Sequence, residues 1–188
     1  MADFEPLPPR VAFRHLGARE GFEVAFINGD AVHGSTSAVE SGEPWFVRYE
    51  LDVQRRRARV NNRSSQGVFE RVLESDGRGH WLVDGVPAPH LDGCEDVDLE
   101  SSALTNAFAI RRMRLAVGEK REAPAAYVRA LDLSVERLEQ SYSRLPDVGI
   151  TQRFAYVAPA FGVSCELTFD ASGVILEYPG LAIRAAVR

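Results

Sequence analysis

Glu95, Asp96 and Asp98 crowd three carboxylates into one short stretch, and Thr105, Asn106 and the arginines Arg111, Arg112 and Arg114 follow closely. Carboxyl pairs held roughly 5–9 Å apart are the working groups of glycosidases. Asp96 and Asp98, two positions apart, would share one face of a strand and fall within that separation. The arginines offer a second chemistry, bidentate clamping of a phosphate or carboxylate, or ion pairing with the acids themselves. A strand would turn Arg111 and Arg112 to opposite sides. Acids beside a glycine turn, here Gly93, more commonly pair with arginine or hydrogen-bond a ligand than hydrolyse one, so binding is the leading reading. His80, His90, Cys94 and Asp96 have the donor types of a metal site without a recognised ligand spacing, so neither metal nor cofactor is expected. Gly-x-Ser-x-Gly, phosphate-loop and His-Glu-x-x-His motifs are absent from the sequence.

Strands must position these groups. Phe161, Val163, Cys165, Leu167 and Phe169 alternate with polar residues, the period of a strand with one buried face. Asp170-Ala-Ser-Gly173 then turns the chain into a second strand, Val174 to Tyr178. Phe22, Val24 and Phe26 alternate likewise, as do Tyr49, Leu51 and Val53, and Met113, Leu115 and Val117, with Arg112 and Arg114 opposite. Turn dipeptides such as Asn28-Gly29, Asp76-Gly77, Asp84-Gly85 and Asp92-Gly93 recur at the short intervals an all-β chain needs. One segment reads differently. Leu131, Val135, Leu138, Tyr142 and Leu145 fall at helical spacing. The run Arg55-Arg56-Arg57-Ala-Arg59 lacks interleaved aromatics and reads as an edge strand guarded by charge.

With 188 residues the chain is large enough to bury one core, and its net charge of −5 argues against a nucleic-acid partner. Residues 1–10, acidic and proline-rich, read as a flexible N-terminal segment ahead of one domain over 11–188. They carry no signal-peptide pattern, and no apolar run approaches the ~20 residues of a membrane span. A soluble cytoplasmic protein without stable membrane insertion is therefore expected, with Cys94 and Cys165 as free thiols.

The ordered motifs resemble the bacterial putative glycolipid-binding family. They are Gly79-x-Trp81 with Asp84-Gly85, Gly93-Cys94 with Asp96-Val-Asp98, Thr105-Asn106, Ile110-Arg111-Arg112, Gln140-x-Tyr142, Tyr156, Phe161, Asp170 with Gly173, and Tyr178-Pro-Gly180. The resemblance covers about residues 11 to 185. Ser102-Ala103 stands where the family reads Thr-Pro, and Phe108-Ala109 where it reads Leu-Pro. The resemblance implies a mainly β fold, a curved antiparallel sheet forming a half-barrel or cup with few short helices. It favours strand over helix for residues 131 to 145. It further implies a lipid or glycolipid-like ligand held without turnover in an apolar cup; Phe22, Phe26, Trp81, Phe161 and Phe169 would line that cup or else fill a solid core. The ligand-binding residues would be Trp81, Asp96, Asp98, Thr105, Asn106, Arg111, Arg112, Gln140, Tyr142 and Tyr178. Two alternatives stand beside this: a hydrolase on a lipid or sugar derivative using Asp96 or Asp98 with Arg111, and an interaction module that forms a homodimer.

Overall fold

The computed structural model describes residues 4–185. The first half of the chain is an antiparallel meander: β1 (Arg10–His15), β2 (Arg19–Asn28), β3 (Ala31–Glu40), β4 (Glu43–Asp52), β5 (Arg57–Ser64), β6 (Gly67–Ser75), β7 (Trp81–Val83) and β8 (Val86–Pro87). Two-residue turns make this possible. Ser41-Gly42 and Asp84-Gly85 both adopt positive φ at each position, the backbone twist that matches paired strands. A small second sheet, of β9 (Asp96–Leu99), β11 (Ala125–Val128) and β12 (Val135–Leu138), one helix, α1 (Thr105–Met113), and the short strand β10 (Lys120–Glu122), which joins the large sheet, interrupt the meander. The chain closes with β13 (Ser141–Val148), β14 (Thr151–Ala158), β15 (Val163–Phe169), β16 (Ile175–Tyr178) and β17 (Ala182–Arg184).

Fourteen strands form one sheet in the order β10-β13-β14-β15-β16-β17-β1-β2-β3-β4-β5-β6-β7-β8. The seam between the two arms is the antiparallel pair β17 and β1, with Phe13 opposite Arg184. The sheet ends at β10 and β8 without closing. In the small sheet, β11 runs parallel to β9 and antiparallel to β12. The fold is mainly β, as the sequence predicts; of residues 131 to 145, for which the family resemblance implies strand, 135–138 and 141–145 are strand, while 131–134 form a turn and loop. The helical spacing there has no structural counterpart.

The helix α1 supplies the core that the curved sheet surrounds. Ala103, Leu104, Ala107, Phe108, Ala109 and Ile110 are all buried, with only Arg111 and Arg112 partly exposed. This corrects the expected strand through Arg111, Arg112 and Arg114. An alanine-rich stretch is a good helix former, and burial all round removes the amphipathic period that would have marked it. Arg114 ends the helix in the left-handed conformation at φ 50°, donating its N–H to the Ile110 carbonyl.

Two further expectations change. Phe22 and Phe26 face outward, 45% and 59% exposed, while Glu23, Ala25 and Ile27 take the inner face of β2. Phe161 is also exposed, Phe169 is fully buried, and Trp81, buried as well, borders a separate surface pocket of about 470 Å³ with Leu82, Pro87 and Pro89. The concave side of the sheet is thus filled by α1 and not lined by those aromatics. The Arg55–Arg57 run lies at the β4–β5 turn, and β5 is hydrogen-bonded on both sides by β4 and β6, so it is no edge. Residues 1–3 of the expected flexible segment lie outside the described residues. Beyond them, the Phe4 ring packs under Arg111 and the Glu5 amide donates to the Ala171 carbonyl. Among the described residues no helix is long and apolar enough to cross a membrane.

Candidate functional site

A pocket of about 210 Å³ opens where α1 meets the ends of the strands. Its walls come from across the chain: Asp98 on β9, Asn106 on α1, Tyr127 on β11, Tyr156 on β14 and Tyr178 on β16. A buried polar chain lies behind it. The Thr105 hydroxyl donates to Asp98 Oδ1 at 2.7 Å, the Tyr142 hydroxyl to Asn106 Oδ1 at 2.8 Å, and the Tyr156 hydroxyl to Gln140 Oε1 at 2.7 Å. The rings of Tyr142, Tyr156 and Tyr178 meet in sequence, the first pair tilted and the second edge-to-face, with centroids 5.0 and 5.8 Å apart. Six of the residues singled out in the sequence, Asp98, Thr105, Asn106, Gln140, Tyr142 and Tyr178, therefore meet at one place.

Asp98, Asn106, Tyr127 and Tyr178 all line the pocket; the Tyr178 hydroxyl is hydrogen-bonded to that of Tyr156, while Asn106 Nδ2 and the Tyr127 hydroxyl have no side-chain partner among the described residues. Burial, opposed by the Thr105 hydrogen bond, pushes the Asp98 carboxyl up to about 6. Burial likewise raises the hydroxyls of Tyr127, Tyr156 and Tyr178 above the usual phenol range, so all three stay neutral donors. Charges ring the mouth. Arg19 bonds Glu40 at 3.0 Å and stands 3.6 Å from Glu100, with its guanidinium 5.1 Å from the Trp45 ring. Arg129 pairs with Glu136 at 2.7 Å and lies over Tyr127 and Phe161, 5.5 and 5.3 Å from their centroids.

The other predicted residues lie elsewhere. Asp96 grips Arg112 by a fork of bonds at 2.6 and 3.1 Å, and Glu95 pairs with the same guanidinium. Asp96, Arg111 and Arg112 line a separate, open pocket of about 650 Å³ against Pro6, Leu7, Ile27 and Phe108. Arg111 is committed to structure, donating to the carbonyls of Glu5 and Ser172 at 2.9 and 2.5 Å. Asp96 and Asp98 thus serve different pockets and different partners, and Arg111 reaches neither carboxylate. Trp81 is buried with its indole N–H donated to the Cys94 carbonyl at 3.0 Å, on the far arm of the sheet. The histidines and Cys94 are likewise dispersed: His80 bonds Asp76, His90 the Val135 carbonyl, and Cys94 the Arg137 guanidinium. Among the described residues no group of three His, Cys, Asp or Glu stands together as a metal site.

Sequence reasoning missed Glu23. Its carboxyl is fully buried beside the start of α1. It accepts from the Tyr49 hydroxyl at 2.6 Å, the Ser102 hydroxyl at 2.5 Å and the Ala103 amide at 2.8 Å. It therefore does from another strand what a capping side chain does locally, and α1 has no side-chain cap of its own. Burial outweighs these bonds and pushes the carboxyl up to about 7. Ser102, one end of this cluster, lines the pocket. β2 carries apolar residues in both phases, so its period does not reveal which face is buried.

The comparison with solved structures aligns the chain with a crystal structure of a DUF1089 family protein from Pseudomonas aeruginosa. The likeness has a TM-score of 0.77 and 30% sequence identity, and covers 98% of this chain and 97% of that one. The comparison with curated proteins gives no match. The family model described as "Putative glycolipid-binding" matches residues 13–184, and the chain belongs to that family.

Proposed function

We propose that the pocket at Asp98, Asn106 and Tyr178 binds the polyhydroxylated head of a glycolipid-like amphiphile, without chemical turnover. The observation that carries this reading is the convergence of hydrogen-bonding groups from five elements on one small space. The Asp98 carboxyl, the Asn106 amide NH2 and the hydroxyls of Tyr127 and Tyr178 all gather there, the Asn106 NH2 and the Tyr127 hydroxyl without a side-chain partner among the described residues. A ligand with several hydroxyls can exchange hydrogen bonds with these groups, each worth about 0.5–1.5 kcal/mol net. The mixture of acceptors and donors, set among aromatic rings, suits a sugar ring better than an alkyl chain. Size supports the same division. About 210 Å³ lies below the ~300 Å³ at which drug-sized pockets begin, so the space fits one ring and leaves a tail outside. The exposed Phe161 and the half-buried Val163 at the rim give that tail an apolar surface to follow.

Titration calorimetry with octyl glucoside below its micellar threshold, with octanol as the control, tests the proposal. One saturable site for the glycoside, absent for octanol, is expected. Asn106→Ala removes a donor to the head and weakens binding by about tenfold, one hydrogen bond's worth. Equal binding of octanol and octyl glucoside, or no saturable site, would show that the pocket does not recognise sugar hydroxyls.

A further inference from the structure

The outer face of the first arm has an unusual make-up. Phe22, Phe26, Phe46, Val39 and Val68 are 45%, 59%, 43%, 45% and 67% exposed, on a face whose reverse is the core. The strand register gathers them into rows. One row runs Arg14, Phe22, Ser37, Phe46, Arg63, Val68 across β1 to β6, and a second begins Arg10, Phe26, His33. Val24 fills the space between Phe22 and Phe26. Strands about 5 Å apart and alternate residues about 7 Å apart put the three phenylalanines on one patch about 10 by 14 Å.

Arginines bracket the patch. Arg10, Arg14 and Arg63 are exposed and have no ion-pair partner among the described residues. Of the acids on that face, Glu50 is paired with Arg48, Asp52 with Arg55, Glu70 with Arg59 and Glu74 with Arg57, leaving Glu20 alone at one end. A chain of net charge −5 thus presents aromatic side chains edged by unneutralised positive charge. Such a face complements a surface that is anionic at its skin and apolar beneath. A second copy meeting this face through a two-fold axis would set unpaired arginines against one another.

We propose that the outer face of β1–β5 docks the protein reversibly on an anionic lipid surface, with Phe22, Phe26 and Phe46 entering the headgroup layer and Arg10, Arg14 and Arg63 meeting lipid phosphates. The placement serves the pocket. Arg19 and Glu40, on the same two strands as Phe22 and Val39, form part of the pocket mouth, so a docked molecule holds that mouth close to the lipid. The docking face stands apart from the sugar-binding groups, and the two readings can fail separately.

Co-sedimentation of the full chain with vesicles of phosphatidylcholine alone, and of phosphatidylcholine with phosphatidylglycerol, is the test. Partitioning onto the anionic vesicles is expected to be about a hundredfold stronger, ~5-fold for each unpaired arginine, and to weaken as salt is raised. The double variant Phe22→Ser, Phe26→Ser should lose about tenfold or more on those vesicles. Its unfolding temperature should be unchanged, because neither ring packs in the core. Arg14→Glu with Arg63→Glu should abolish the preference for anionic lipid. Asn106→Ala, defective in glycoside binding, should sediment as the wild type does. The proposal is overturned if the wild type stays in the supernatant with anionic vesicles, or if the phenylalanine variant sediments equally well. It is also overturned if light scattering shows a dimer that the same variant dissociates, for then the face belongs to a second copy.

Discussion

Replacing Glu23 with glutamine isolates the energy of one buried proton. The carboxyl lies at about 7 in the folded protein against 4.5 for an ordinary glutamate, because burial outweighs the hydrogen bonds from Ser102, Tyr49 and Ala103. At ~1.36 kcal/mol per unit the difference amounts to about 3 kcal/mol. The sign follows from which state holds the proton more tightly. With the folded value the higher, the contribution to stability is fully present below pH 4.5 and is lost as the pH rises through about 7. Glutamine has the shape of the neutral carboxyl. Its carbonyl can accept from the Ala103 amide, and its NH2 can donate to the Tyr49 and Ser102 hydroxyls once these turn to accept. Urea unfolding of wild type and Glu23→Gln from about pH 4 to about pH 8 measures the effect, since every other titrating group cancels in the difference. The two should be alike in acid and diverge by about 3 kcal/mol in alkali, the variant being the more stable, or about 6–12 °C in unfolding temperature. A difference that does not change with pH, or a variant that weakens in step with the wild type, would refute the reasoning.

Two further outcomes follow from the same interior. A Cβ at Gly34 would fall 2.1 Å from Tyr49 Cζ and 2.3 Å from its oxygen, and Tyr49 is tied to Glu23. Gly34→Ala should therefore cost at least about 2–3 kcal/mol in chemical unfolding, and a cost under ~0.5 kcal/mol would show that the ring is free to retreat. Asp98, raised to about 6, accepts ligand hydroxyls best when ionised, so octyl glucoside affinity should fall as the pH drops through that value. Asp98→Asn should flatten the profile, and a wild-type profile level from about pH 5 to about pH 8 would remove the carboxylate from recognition.

Strand-rich architecture was legible because alternation and turn dipeptides are local signals. Asp84-Gly85 and Asp170 to Gly173 do in three dimensions what their composition announces, Asp170 Oδ1 accepting from the amides of Ser172 and Val174. The helix α1 was not legible, because Phe108-Ala-Ile-Arg-Arg-Met-Arg-Leu115 reads as alternation when the partners that bury Ala107 and Ala109 are unknown. The ordered motifs led to Asp98, Asn106 and Tyr178 together. They could not separate Asp96 from Asp98, since pocket membership depends on which neighbour, Arg112 or Thr105, reaches each carboxyl. Tyr127, Arg19 and Arg129 come to the pocket through strand pairing over long sequence separations, and Glu23 was hidden behind more conspicuous phenylalanines on its own strand.

The β1–β17 seam bears on what binding reports. Neighbouring strands within each arm find one another over short lengths of chain, whereas Phe13 meets Arg184 only after a closure spanning nearly everything between them. The cavity wall takes Arg19 from one arm, Tyr156 and Tyr178 from the other, and Asn106 from the helix enclosed between. A molecule zipped along each arm but parted at the seam has no such cavity. Occupancy is thus a property of the finished molecule alone, and an occupant adds its whole binding free energy to keeping the two arms joined.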